Sequence, residues 1–153
     1  MKKLFCVSLL VFLTSGCDSV SPEEVLTADY GKRPTAEQYT STVEMAIRRQ
    51  LEGPGWAKFK FPYPAFKGYY EQGFEGPHFG YWTCGFVSSR KPQGGYTDFN
   101  YFVAVYNHGQ VVYSNVSSQA EPFDLTSATC ASQAEYLSRQ PSEADVPLSL
   151  SSS

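Results

Sequence analysis

The sequence predicts an α+β fold, in which an amphipathic N-terminal helix packs on a mainly antiparallel sheet of four or five strands and a short C-terminal helix follows. Aromatic residues make up 16% of the 153 residues, which favours strands and a β-rich core. Apolar residues recur at helical spacing before residue 52 and alternate with a period of two in several stretches after residue 56. Turn residues separate those stretches, as in antiparallel sheets.

The first element is a helix predicted over residues 36–51. Thr35 and Gln38 have the spacing of a capping box, and Gly53 follows the end of the apolar pattern. The apolar residues of this helix share one face, which should pack on the sheet. They are Tyr39, Val43, Ala46, Ile47 and Leu51.

Strands are predicted from the alternating stretches, and the longest of them is apolar on both faces, which is typical of a central strand. Asn107-His108-Gly109 predicts a hairpin turn between the last two strands. The predicted ranges are 56–61, 68–72, 78–88, 99–106 and 110–115.

The last helix is predicted over residues 124–137, with Asp124 as its N-cap. Its alanines and one leucine form a stripe that should pack on the sheet. That stripe consists of Ala128, Ala131, Ala134 and Leu137.

Two cysteines connect these elements, because Cys84 falls in the central strand and Cys130 in the last helix. In an oxidising compartment they should form a disulfide that holds the helix on the sheet. A redox-active pair is the alternative, but the Cys-x-x-Cys spacing typical of such pairs is absent from the sequence.

The amino terminus has the pattern of a secretory signal. Lys2 and Lys3 precede an apolar run over residues 4–13, which is too short to span a bilayer. The following residues, Leu13-Thr14-Ser15-Gly16-Cys17, resemble a bacterial lipobox. That resemblance implies cleavage after Gly16 and attachment of lipid to Cys17, with acyl chains such as palmitate. Ordinary signal cleavage is the alternative, and it would leave one cysteine unpaired.

These patterns divide the chain into four parts: a signal peptide over 1–16, the lipidated cysteine with a flexible tether over 17–34, one domain over 35–138, and a disordered serine-rich tail over 139–153. Asp18 resembles the residue that retains lipoproteins in the inner membrane of enteric bacteria. The predicted location is therefore the cell envelope, with the periplasmic face of the inner membrane slightly favoured over the outer membrane.

A second resemblance concerns the domain itself. Ala57-Lys58-Phe59, Cys84-Gly85 and Gly94-Gly95-Tyr96 look like a pattern found in small secreted or lipid-anchored bacterial proteins. The resemblance implies a shared fold and no particular activity. Gly94 and Gly95 should adopt positive φ, which would let Tyr96 re-enter the sheet after a tight turn. This loop is either purely structural or a partner-binding loop.

The charges and the reactive residues argue against several functions. The formal net charge is −3, and it becomes −5 once Lys2 and Lys3 leave with the signal, which disfavours nucleic acid and electrostatic docking on anionic lipid. His78 and His108 lack metal-ligand spacing, so we expect no metal and no other cofactor. Catalytic motifs are absent, and the scattered acids Glu71, Glu75 and Asp98 indicate a hydrolase only weakly.

The sequence therefore favours a non-enzymatic envelope lipoprotein that binds another protein or an envelope component. The alternative is a module that binds glycan, peptidoglycan or a small ligand. Within the aromatic run of residues 56–82, flanking Pro and Gly residues indicate the best surface positions. The predicted interaction residues are Tyr63, Tyr69 and Tyr70, together with Gly94, Gly95 and Tyr96.

Overall fold

The computed structural model describes residues 20–73, 75–118 and 124–139. As predicted, the fold is α+β, with a five-stranded antiparallel sheet and a short C-terminal helix. The helices are α1 (Pro22–Thr27), α2 (Ala36–Arg48) and α3 (Leu125–Arg139), and a 3₁₀ turn spans Pro54–Trp56. The strands are β1 (Lys58–Lys60), β2 (Phe66–Glu71), β3 (Pro77–Ser88), β4 (Asn100–Asn107) and β5 (Gln110–Val116).

Strand β3 organises the sheet. One of its edges pairs with β4, and β5 lies beyond β4. Its other edge pairs with β1 along residues 86–88 and with β2 along residues 77–82. β1 and β2 therefore act as one interrupted edge strand. Pro62 and Pro64 lie in the interruption, and proline has no amide hydrogen to donate to a strand ladder.

Helix α2 covers one face of the sheet. Tyr39, Val43 and Ile47 recur every four residues and are buried against a cluster that includes Phe102 and Ala104 of β4. The capping box at its start is present, because Thr35 Oγ1 accepts a hydrogen bond from the Gln38 amide and Gln38 Oε1 accepts one from the Thr35 amide. The regular helix ends at Arg48 rather than residue 51.

Helix α3 covers part of the opposite face. The Cys84–Cys130 disulfide joins it to β3, with 5.5 Å between the two Cα atoms, which confirms the predicted pairing. Thr126, Cys130 and Gln133 are the buried residues of this helix.

The predicted alanine stripe of this helix is therefore wrong. Ala128 and Ala131 are exposed and Ala134 is half-buried, while the side chain of Leu137 lies outside the described residues. The disulfide determines which side of α3 faces the sheet, because Cys130 must lie next to Cys84. The exposed alanines lie away from that side.

The segment before α2 differs from the flexible tether predicted over 17–34. α1 begins with a capping box between Ser21 and Glu24. Further along, the Tyr30 ring is buried and packs edge-on against Phe79, with 5.6 Å between ring centroids. The Asn107 side chain donates to the Asp29 carbonyl over 2.8 Å. The folded part of the chain thus begins well before residue 35, because the Tyr30 ring and the Asp29 carbonyl both contact residues of the sheet.

The hairpin turn between β4 and β5 has the predicted backbone geometry. His108 and Gly109 have φ values of 48° and 82°, and a two-residue hairpin turn of this type needs positive φ at both positions. His108 Nε2 lies 2.8 Å from Asp29 Oδ2, so the turn also contacts the segment before α2.

Candidate functional site

A groove of about 500 Å³ lies where the edge strand is interrupted, between the start of α2 and residues 61–65. The interruption creates it, because the chain leaves β3 after β1 and returns to it only at β2. The lining residues come from two short segments and the first turns of one helix. They are Arg33, Pro34, Thr35, Ala36, Tyr39, Thr40, Phe61, Pro62, Tyr63, Pro64 and Ala65.

The wall of the groove is apolar. Phe61 and Ala65 lie at either end of the proline segment and pack against the buried core under α2. The Phe61 ring meets the Tyr39 ring edge-on, with 6.4 Å between centroids. Tyr63 stands between the two prolines and is half-buried. This wall would therefore accommodate an apolar group without large rearrangement.

The hydroxyl of Tyr39 fixes the groove to the sheet. It donates to the Ala104 carbonyl over 2.7 Å and accepts a hydrogen bond from the Thr83 amide over 3.1 Å. Burial raises the pKa of the Tyr39 phenol far above its ordinary value, and the hydrogen bond from Thr83 opposes that shift only partly. At neutral pH the phenol is thus a protonated, fully partnered group with a structural role.

The rim of the groove carries positive charge. Arg33 is exposed and belongs to the lining, and no ion pair is formed by it within the described ranges. The first turn of α2 lies beside it, where the helix dipole is positive. An apolar wall next to a cationic rim suits a ligand that has an apolar group and an anionic group close together.

The predicted tyrosines fall into different environments. Tyr63 lines the groove. Tyr69 is 38% exposed on β2, whereas Tyr70 is only 3% exposed, so its predicted surface role is wrong. Successive residues of a strand point to opposite faces, and Tyr70 points to the face that α3 covers. The structure does not bring the three tyrosines together.

The glycine pair has the predicted conformation. Gly94 and Gly95 have φ values of 95° and 76°. The turn is closed by backbone hydrogen bonds between Lys91 and Gly95 and between Gly94 and Lys91, both 3.0 Å long. Tyr96 then pairs with Arg90 as an isolated antiparallel bridge. None of these residues lines the groove, so this loop forms a separate surface.

A polar cluster that the sequence did not indicate lies under α3. Gln72 Oε1 accepts hydrogen bonds from the Tyr70 hydroxyl over 3.1 Å and from the Tyr113 hydroxyl over 2.7 Å. Burial, with smaller repulsion from Tyr70 and Glu75, raises the pKa of Tyr113 to about 12. Both phenols are therefore hydrogen-bond donors at neutral pH. Tyr113 lies 41 residues after Gln72, so no local pattern could have revealed the cluster.

Among the acids considered for hydrolysis, the fold separates Asp98 from Glu71. Glu71 pairs with Pro77 at the start of β3. Asp98 lies near the other end of this strand, because the amide of the preceding Thr97 donates to the carbonyl of Ser89, just past the end of β3. At about 3.3 Å per strand residue these two ends are more than about 30 Å apart, too far for a glycosidase pair. In the described ranges, no three His, Cys, Asp or Glu side chains converge to hold a metal ion.

The predicted signal peptide, Cys17 and the tail from residue 140 lie outside the described residues. Inside them, no helix combines the length and the apolar character needed to cross a bilayer. Comparisons with protein-family models, curated proteins and solved structures found no match.

Proposed function

We propose that this chain is a lipid-anchored protein of the bacterial cell envelope, and that its domain binds a partner polypeptide in the groove beside Tyr63 without catalysing a reaction. The observation that carries the binding role is the interruption of the edge strand by Pro62 and Pro64. It opens an apolar groove beside a cationic rim. The envelope location rests on the signal pattern and on its resemblance to a lipobox at Cys17.

The anchor would hold the domain close to its membrane. Pro22, where α1 begins, is the fifth residue after Cys17. A fully extended chain of that length spans at most about 18 Å. Because residues 29–30 are packed on the sheet, little further slack exists between the anchor and the domain. The partner should therefore be an envelope protein that presents its binding segment near the same membrane.

The groove suits a segment with an apolar side chain next to a carboxylate. The apolar side chain would enter between Phe61 and the start of α2, and the carboxylate would meet Arg33 on the rim. Within the described ranges, the lining includes no carboxylate that would repel such a ligand. A glycan or peptidoglycan fragment is the second candidate, because the lining also presents the hydroxyl-bearing side chains of Thr35, Thr40 and Tyr63.

A photocrosslinking amino acid at position 63, in the chain expressed in its native membrane, tests the groove. We expect a discrete adduct with an envelope protein, and we expect Arg33→Glu to abolish it. The matched control carries the crosslinker at position 112, where Val112 on β5 is 40% exposed and lies outside the groove. Identical adducts at both positions would contradict the proposal, and adducts with cell-wall glycan alone would favour the second candidate.

Mass spectrometry of the processed amino-terminal peptide tests the anchor. We expect a peptide that begins at Cys17 and carries lipid on the sulfur and acyl chain on the new amino terminus. Cys17→Ser should release the chain from the membrane fraction, whereas Cys84→Ser with Cys130→Ser should not. An unmodified Cys17 in the mature chain would falsify the lipoprotein assignment and leave the groove experiment unaffected.

A further inference from the structure

Basic and aromatic residues from three segments converge on one exposed surface, at the end of the sheet near β1. Lys58 and Lys60 are two residues apart on β1 and so point to the same face. The Lys58 ammonium lies 3.9 Å from the centre of the Tyr96 ring, and the Lys60 ammonium lies 4.1 Å from the centre of the Phe99 ring. Each lysine thus covers the face of one aromatic ring.

A third pair extends this surface. The Arg90 guanidinium lies 5.8 Å from the centre of the Trp56 ring, which is 65% exposed. The pairing of Lys58 with Ser88 and of Arg90 with Tyr96 brings the three segments together. We call these residues the basic–aromatic surface, which consists of Trp56, Lys58, Lys60, Arg90, Tyr96 and Phe99.

The surface is positively charged within an acidic chain. In the described part of the chain, none of its three cations forms an ion pair with a carboxylate. With the neighbouring Lys91, the region holds four Lys and Arg residues, and among the described residues the acids beside it are Glu52 and Asp98. The chain as a whole carries −3, so the remainder is more acidic than its average.

We propose that the basic–aromatic surface docks the domain on an anionic phospholipid membrane. Lysine and arginine near such a surface are attracted to lipid phosphates, and Trp and Tyr are enriched at the membrane–water interface. Glycan stacking fits less well, because the lysine ammoniums already cover the faces of Tyr96 and Phe99. The proposal rests on the proposed lipid anchor only for the proximity of the membrane.

Docking here would leave the groove accessible. Phe59 packs against the core on the α2 side of the sheet, so its neighbours Lys58 and Lys60 point to the other side. The groove is lined by α2 residues such as Ala36 and Tyr39. A membrane contact through the basic–aromatic surface would thus turn the groove away from the lipid.

Vesicle binding of the full chain carrying Cys17→Ser in every sample tests this proposal independently of the anchor. The vesicles are pure phosphatidylcholine or contain about one third phosphatidylglycerol, a typical anionic lipid. We expect binding only to the anionic vesicles, weakening with added salt, and a shift of tryptophan emission to shorter wavelength that Trp56→Phe removes.

The decisive variant is Lys58→Gln with Lys60→Gln. We expect about 5-fold weaker binding per lysine, and so about 30-fold for the pair, because a lysine near an anionic surface contributes about 1 kcal/mol. The matched control is Lys32→Gln with Arg49→Gln, two exposed cations elsewhere that lose the same charge. The control pair should change binding less than about 2-fold, since its cations lie off the surface.

Three results would overturn the proposal: equal losses in the two pairs, equal binding to neutral and anionic vesicles, or binding to polyglutamate without binding to anionic vesicles. The last would assign the surface to an acidic polypeptide. Cys17 is replaced in every vesicle sample, so a negative vesicle result does not bear on the proposed lipid anchor. Likewise, the absence of lipid on Cys17 in the mature chain would not change the meaning of the vesicle result.

Discussion

The two faces of the sheet are built by different means. The α2 face is a hydrophobic core in which Val43, Ile47 and Phe102 are fully buried, and one buried hydroxyl, that of Tyr39, links helix and sheet. The α3 face is more polar. It is held by a disulfide and by hydrogen bonds around Gln72, and it gives way to the basic–aromatic surface near β1. Apolar burial dominates the first face, whereas the second depends on a covalent bond and on hydrogen bonds between polar side chains.

Helix α3 also provides a hydrogen-bond acceptor for a strand amide that has no partner within the sheet. Residues 83–85 of β3 have no partner on the interrupted edge of the sheet. The Cys84 amide donates instead to Gln133 Oε1 of α3 over 3.0 Å. A buried amide without an acceptor would cost about 1–3 kcal/mol. This hydrogen bond explains why the polar side chain of Gln133 is buried on a helix in which Ala128 and Ala131 are exposed.

The largest effect should follow removal of the disulfide on the α3 face. Cys84→Ala with Cys130→Ala opens a loop with a sequence separation of 46 residues. The chain-entropy model then predicts a loss of about 4 kcal/mol from the free energy of unfolding. Urea unfolding followed by circular dichroism measures it. A loss below about 1 kcal/mol would show that packing and hydrogen bonds hold α3 in place without the disulfide.

A smaller loss is expected from the α2 face. Ile47→Ala removes a fully buried side chain and should lower the free energy of unfolding by about 3 kcal/mol, through lost burial and a cavity. Met45→Ala on the same helix is the control, because Met45 is 56% exposed and its truncation should cost less than about 0.5 kcal/mol. Similar losses for the two variants would mean that α2 does not cover the sheet as described.

Alkaline pH should weaken the α2 face through Tyr39. Burial raises the pKa of this phenol in the folded chain, while in the unfolded chain it stays near about 10. A raised folded pKa gives a contribution that is complete below about pH 10 and is lost as pH rises further. We expect the free energy of unfolding to fall above about pH 10, and Tyr39→Phe to make that fall shallower.

Tyr113→Phe is the comparison on the α3 face. Its raised pKa of about 12 adds to the same alkaline loss, so this variant should also flatten the profile. The absorbance of tyrosinate near 295 nm, followed against pH together with unfolding, distinguishes ionisation of Tyr39 and Tyr113 from ionisation of the exposed tyrosines. A profile that neither variant alters would contradict the assigned burial of both hydroxyls.

The smallest effect tests the orientation of α3. Ala131→Glu places a charge on the stripe that the sequence predicted to pack, but the side chain of Ala131 is exposed. We expect a change below about 0.5 kcal/mol. Thr126→Glu is the contrasting variant, because Thr126 is buried and accepts a hydrogen bond from Asn115 over 2.8 Å. Comparable losses in both variants would favour the alanine stripe as the packing face.

Most strands and the tight turns could be predicted because their signals are local. The long apolar run of β3 and the alternation along β4 indicate strands from neighbouring residues, and Asn107-His108-Gly109 indicates the turn between β4 and β5 in the same way. The environment of Tyr70 could not be predicted. Its exposure depends on α3, which lies more than fifty residues further along the chain. The candidate groove was indicated only through Tyr63, since Arg33, Thr40 and Phe61 meet there only after folding.

The distribution of charge is a second feature that the sequence alone does not give. A total of −3 argued against contact with anionic lipid, yet Lys58, Lys60 and Arg90 come together when β1 and residues 89–99 pair around the end of β3. Charge sums carry no information about how charges are distributed over a folded surface. Only the pairing of strands reveals that part of an acidic chain is basic.

The sequence by itself determined the α+β class, the order and approximate limits of the strands, the disulfide partners and the positive φ of the turn glycines, because each depends on residues close in the chain or on a unique pair. The tertiary structure decided which face of α3 is buried, where the edge strand opens and which side chains share a surface. Those features depend on contacts between distant segments, and neither periodicity nor composition encodes such contacts.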